Sequence, residues 1–217
     1  MKSAMILAAG RGERMRPLTD TLPKPLLRVH DKPLIEYHVE HLARVGVERI
    51  VINLAWLGSL IRDYLGDGSR FGVSILYSEE SPRALEPAGG IFRALPLQGE
   101  ASFVVVNGDI FTNYAFERLH LPQGRDSHIV LVPNPPQHPR GDFGLEQGSA
   151  VAAAATQYTF GCIAVYRPEF FAGCTDGAFP LKPLLLRSMA AGRCSAELYT
   201  GPWEDVGTPE RLRALNV

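Results

Sequence analysis

Residues 5–27 read MILAAGRGERMRPLTDTLPKPLL, an apolar run that empties into glycine, arginine, proline and lysine. Ala4 to Leu7 has the length and composition of a buried parallel strand. The loop behind it carries Gly10, Gly12, Arg14 and Lys24, and Pro33 then opens an amphipathic segment, Leu34 to Val45, that Gly46 stops. In open α/β sheets a loop at the carboxyl end of a first strand is where ligands sit, and glycines there let backbone amides approach phosphate oxygens. So much positive charge behind a buried strand points to an anion held on an α/β fold.

Working outward, the same alternation repeats. Strands are expected at 49–53, 74–78 and 103–107, with helices at 57–65 and 88–95 between them, which predicts a mainly parallel sheet covered by helices on both faces. After Asp109 the pattern loosens. Strands are expected at 128–132, 159–166 and 196–200, helices at 181–191 and 209–215, and a Pro-rich loop, NPPQHPRGDFG, at 134–144. Thr208 is the expected N-cap of the last helix and Pro209 its first residue. The Ala-rich run 149–156 fits helix, strand or loop equally.

Composition removes other classes. The chain has 217 residues and a formal net charge of -1, which argues against a protein whose task is gripping nucleic acid or an anionic membrane. Its anion must be met by local cations. The three cysteines, Cys162, Cys174 and Cys194, are odd in number and widely spaced, so neither a disulfide framework nor a thiolate metal site is expected, and they imply a reducing, cytoplasmic setting. The opening MKSAMILAAG breaks at Gly10 unlike a signal peptide, and no stretch is long enough to span a bilayer.

The spacing of the opening loop is neither GxxxxGK[ST] nor GxGxxG, and both of those motifs leave Arg14, Thr19 and Pro23-Lys24-Pro25 unexplained. Gly10-x-Gly12-x-Arg14-x-x-Pro17-Leu18-Thr19 followed by Leu22-Pro23-Lys24-Pro25-Leu26 resembles the signature of the sugar-phosphate nucleotidyltransferases. Asn107-Gly108-Asp109, Phe143-Gly144 and Trp203-x-Asp205-Val206-Gly207-Thr208 extend the resemblance over nearly the whole chain. It implies a Rossmann-like mixed, mainly parallel sheet in a single domain, 1–217, with a nucleotide-binding half at 1–110 and a sugar-phosphate-binding half at 111–217.

The resemblance also implies a chemistry. A sugar 1-phosphate oxygen attacks the α-phosphorus of a nucleoside triphosphate in line and expels pyrophosphate, so catalysis is positioning and charge neutralisation. Mg²⁺ held by Asp109 and Asp205, at the ends of separate core strands, is the implied cofactor, with Arg14 for the triphosphate tail and Lys24 for the attacking and α-phosphates. Leu7, Ala8, Ala9, Gly10 and Gly12 are expected beneath the nucleotide, Ala88 and Gly89 at the base and ribose, and Glu80 on the base or sugar side. Asn107, Gly144 and Arg140 are assigned to the sugar. Many relatives carry a Glu-Lys pair before the strand at 159–166; this chain has none there, and Lys182 is the candidate replacement.

Within the family, Glu86-Pro87-Ala88-Gly89-Gly90 and the Pro-Arg-Gly-Asp-Phe-Gly loop are most similar to members that transfer uridylyl groups to N-acetylmuramic acid 1-phosphate. The sequence shows no hexapeptide repeats, which argues against the bifunctional acetyltransferase members. Guanylyl transfer to mannose 1-phosphate is the alternative within the family, and a non-catalytic sugar-nucleotide-binding subunit the alternative outside it. Small-molecule substrates are the implied partners, with no nucleic acid and no membrane, on a monomer or small homo-oligomer.

Overall fold

The computed structural model describes residues 1–80 and 84–217. Strand β1 (Ser3–Leu7) lies inside a nine-stranded sheet, and its side chains alternate between two cores. Ala4 and Ile6 point to one face and Met5 to the other, all fully buried. After the signature loop, a two-stranded ribbon of β2 (Arg28–Val29) and β3 (Lys32–Pro33) leads into helix α1 (Leu34–Arg44). Ile35, Val39 and Leu42 of α1 recur at helical spacing and pack on the Ala4 and Ile6 face.

Strands β4 (Arg49–Leu54) and β5 (Ser74–Glu79) follow, separated by α2 (Gly58–Leu65), and both run parallel to β1. Helix α3 (Glu86–Gln98) covers the Met5 face, and β6 (Phe103–Asn107) returns to the other side of β1. The chain therefore reverses its direction of travel across the sheet between β1 and β6. That switch point brings Leu7, Asn53 and Asn107 level at the carboxyl ends of three neighbouring strands.

The second half is mixed, as the loosened pattern predicts. A short β7 (Ile110–Thr112) is followed by β8 (Ser127–Val132), β9 (Phe143–Glu146), β10 (Ser149–Val151) and β11 (Gln157–Tyr166). Helix α4 (Lys182–Ala190), β12 (Cys194–Leu198), β13 (Trp203–Asp205) and α5 (Pro209–Ala214) complete the chain. The sheet order is β5-β4-β1-β6-β11-β8-β12-β10-β9, with β9 also pairing back onto β11. β11 joins the halves by pairing antiparallel with both β6 and β8.

Several boundaries differ from the sequence reading. Helix α3 runs past Pro96 to Gln98, because the buried Gln98 side chain is tied to Ser3 and to the Ala4 carbonyl. The last core strand is Cys194–Leu198 rather than 196–200, since Cys194 pairs with Ser127 and the chain turns at Gly201-Pro202. Phe143 and Gly144 belong to a strand, not to the end of a loop. The Ala-rich run divides into β10 and a connection, joined to β9 by a tight turn with positive φ at Gln147 and Gly148. Among the described residues no helix is long and apolar enough to cross a membrane.

Candidate active site

The signature loop is held by its own side chains. The Arg11 guanidinium donates to the Thr19 carbonyl at 2.7 Å and to Asp20 at 3.0 Å, and lies 3.8 Å over the Trp56 ring. Trp56 Nε1 donates to the same carbonyl, and the fully buried Thr19 returns its hydroxyl to the Gly12 carbonyl at 2.9 Å. Arg11 is thus consumed in shaping the loop. Arg14 is exposed and lines a cavity of about 240 Å³ with Gly10, Gly12, Lys24, Asp109 and Gly207.

A second cavity, of about 180 Å³, adjoins it and shares Gly10, Lys24 and Asp109. Its floor is Leu7, Ala8, Ala9 and Asn107 at the strand ends, and its wall carries Asn53, Glu80, Glu86 and Pro87. Asn53 accepts from the Ala8 amide at 2.7 Å and donates to Glu80 at 2.6 Å, while the other Glu80 oxygen accepts from the Leu85 amide. One carboxylate therefore ties β1, β4 and the entry to α3 together. A polar residue ending the apolar Ile-Val-Ile run at 50–52 was the signal for Asn53.

Lys24 stands at the junction of the two cavities. Pro23 and a single tight turn at Lys24–Leu26 aim its side chain inward, leaving it only 10% exposed. Nζ pairs with Asp109 Oδ2 and lies 3.8 Å from Asp205 Oδ1. Asp205 departs from expectation, because it lies on the short ribbon of β7 and β13 rather than on a core strand. That ribbon joins the two carboxylates: Asp205 pairs with Ile110, and the Val206 amide donates to the Asp109 carbonyl at 3.0 Å.

Two carboxylates converging on one cation are oxygen donors of the kind a hard divalent ion takes. Among the described residues no cluster of three or more His, Cys, Asp or Glu side chains could hold a metal. The pair fits Mg²⁺ bound together with a phosphate substrate rather than a caged ion.

The acceptor side is more dispersed. Asp142 Oδ2 accepts from the Phe160 amide at 3.0 Å, next to an irregularity in β11, while Oδ1 faces His138 at 3.3 Å and Lys182 at 3.9 Å. Lys182, at the start of α4, also lies 5.5 Å over the Phe143 ring. Cys162 lies within the irregularity with φ of 57°, and its thiol is pushed up by burial and by the negative charges of Asp109, Asp205 and Asp142.

Six expected residues line neither cavity: Ala88, Gly89, Arg140, Gly144, Lys182 and Asp205. Ala88 is fully buried in the core, and Gly89 packs against Gly177 and Ala178, so Glu86 and Pro87 line the wall in their place. Gly144 is covered by Ala154, and Arg140 is exposed. The sequence reading missed Arg211, whose guanidinium grips Asp205; an arginine three residues after a helix cap carries no signal of such a contact.

Residues 3–156 match the family model described as nucleotidyl transferase. The chain is 50% identical to the N-acetylmuramate alpha-1-phosphate uridylyltransferase of Neisseria meningitidis serogroup B, over 97% of this chain and 95% of the relative. It is 33% identical to the protein of the same name from Caulobacter vibrioides, over 96% and 93%. Among solved structures, HddC from Yersinia pseudotuberculosis, complexed with GMP-PN, superimposes with a TM-score of 0.79 at 19% identity, covering 99% of this chain and 98% of that one. A Bacillus anthracis chain assigned as a glucose-1-phosphate thymidylyltransferase gives 0.87 at 22% identity, covering 100% and 94%.

Proposed function

This chain belongs to the nucleotidyl transferase family, and on that premise we propose that it transfers a uridylyl group from UTP to N-acetylmuramic acid 1-phosphate, releasing pyrophosphate. The observation that carries the reading is the position of Lys24, shared by two adjoining cavities and paired with two carboxylates. The relatives from Neisseria and Caulobacter support the choice of base and sugar.

In this reading the nucleoside lies over Leu7 to Gly10, walled by Glu80, Glu86 and Pro87, and the triphosphate tail extends toward Gly12 and Arg14. Mg²⁺ held by Asp109 and Asp205 supplies charge neutralisation between phosphates that otherwise repel. Lys24 leaves its carboxylate partners to follow the α-phosphate and the attacking oxygen, a task suited to a compact ammonium on a flexible stem. Asn107 borders the sugar, with Lys182 taking the acceptor phosphate and Arg140 the lactyl carboxylate. Residues 1–110 then serve the nucleotide and 111–217 the sugar phosphate.

Pyrophosphate release, measured for four nucleoside triphosphates against a panel of sugar 1-phosphates, tests this directly. UTP with N-acetylmuramic acid 1-phosphate is the expected best pair. Preference for GTP with mannose 1-phosphate would overturn the substrate assignment, and no release with any pair would overturn the enzymatic one.

A further inference from the structure

Asp205 divides its two oxygens between two cations. Oδ1 faces Lys24 and the reaction centre, while Oδ2 accepts from Arg211 Nη1 at 3.1 Å. The same Nη1 reaches the Asp205 carbonyl at 2.6 Å, so Arg211 holds both the backbone and the carboxylate of this residue. Arg211 is only 18% exposed, and its helix is fixed at both ends. Thr208 caps it, and Leu212 and Leu215 pack on the small core of Met15, Leu27, Val29, Leu34 and Val206.

The intervening glycine has a steric reason. A Cβ on Gly207 would lie 3.2 Å from Asp205 Oδ2, 3.2 Å from Arg211 Nη1 and 3.1 Å from Arg14 Nη2. Three charged groups close on one backbone position, and a side chain there would have to displace them by a few tenths of an ångström.

We infer that Arg211 is a positioning residue for Asp205, fixing Oδ2 so that Oδ1 alone is presented to a divalent cation. The inference rests on the reading of Asp109 and Asp205 as metal-binding carboxylates. Hydrogen bonds that orient a ligating carboxylate strengthen metal binding. The charge of Arg211, by contrast, opposes a cation at the same place. These two effects have opposite signs, and measurement separates them.

Mn²⁺ binding to the full chain, followed by electron paramagnetic resonance without nucleotide or sugar, provides the test for wild type, Asp205→Asn, Arg211→Met and Arg211→Lys. Weakened binding by Asp205→Asn upholds the metal reading, and unchanged affinity overturns it together with the inference. With that control met, Arg211→Met is expected to bind Mn²⁺ roughly 10–100-fold more weakly. Arg211→Lys, which keeps the charge on one rotatable ammonium without the planar fork of the guanidinium, falls between the two. Unchanged or tighter binding by Arg211→Met overturns the inference, because charge removal alone strengthens cation binding. Should Arg211→Met fail to fold, Arg211→Lys decides: several-fold weaker binding supports positioning, and wild-type affinity overturns it.

Discussion

Lys24 Nζ stands 3.8 Å from Asp205 Oδ1 while pairing with Asp109 Oδ2, so one ammonium faces both carboxylates and shares Asp205 with Arg211. Lys24→Ala is expected to lower turnover roughly 100-fold, the scale of losing one transition-state charge contact. Because the side chain is buried, the variant also leaves Asp109 without its cation, while Asp205 keeps Arg211, and its thermal midpoint without metal should fall. Mg²⁺ should then raise that midpoint more in the variant than in wild type. Near-wild-type turnover at saturating substrates would remove Lys24 from the mechanism.

Asp109→Asn and Asp205→Asn keep shape and remove the negative charge a hard cation requires. Each is expected to raise the Mg²⁺ concentration for half-maximal rate by roughly tenfold or more, since orienting groups alone cost about that much. A Mg²⁺ titration of activity checks both. An unchanged half-saturation for Asp205→Asn would reassign it to holding Arg211 and the β7–β13 ribbon.

How much of this was legible in the sequence follows from how local each feature is. Gly10, Gly12 and Asn107 lie where a strand-loop pattern puts them, at the carboxyl ends of β1 and β6. The burial of Lys24 was not legible, because Asp109 and Asp205 reach it from 85 and 181 positions away, as the numbering shows. Arg211 was hidden for the same reason. The β9–β10 hairpin did have a local signal, Gln147-Gly148 inside the alternation Leu145-Glu146 and Ser149-Ala150, but the prolines before it and the alanines after it masked the pattern.

Gly144→Ala tests the packing of that hairpin. The added Cβ would overlap Ala154 and approach Val151 Cγ2 to 2.8 Å, inside a strand held on both sides. A loss of about 1–3 kcal/mol by urea unfolding is expected, the usual cost of overpacking. Ala154→Gly in the same chain should recover part of it, and no recovery would mean that the strain lies elsewhere.

His128 gives the protein an acid-sensitive core. Burial holds its imidazole below the usual histidine value, and Nδ1 meets the Ser195 hydroxyl at 3.0 Å while Nε2 has no hydrogen-bond partner among the described residues. The unfolded chain therefore takes up a proton at a higher pH than the folded one does. Stability is lost as pH falls through the ordinary histidine value toward the depressed folded one. His38, pushed down to about 4 mainly by burial, acts in the same direction. His128→Phe should shrink the drop in thermal midpoint between pH 7.5 and pH 5.5, buffer values chosen to bracket about 6.5. An unchanged drop would assign the acid sensitivity to other groups.

Lys182 and Arg140 should separate phosphate binding from sugar choice. Lys182 lies 3.9 Å from Asp142 Oδ1 and 5.5 Å over the Phe143 ring, where the proposed reading puts the acceptor phosphate. Arg140 is exposed two positions away from Asp142 and has no ion-pair partner among the described residues, leaving its guanidinium available to a carboxylate. Lys182→Ala is therefore expected to raise KM for every sugar 1-phosphate by a similar factor. Arg140→Ala is expected to act selectively, costing N-acetylmuramic acid 1-phosphate about 1–3 kcal/mol in kcat/KM while sparing N-acetylglucosamine 1-phosphate, which lacks the lactyl carboxylate. Kinetics of both variants on both sugars decide the matter. Equal losses on the two sugars with Arg140→Ala would show that it does not read the lactyl group, and a sugar-selective loss with Lys182→Ala would transfer that role to Lys182.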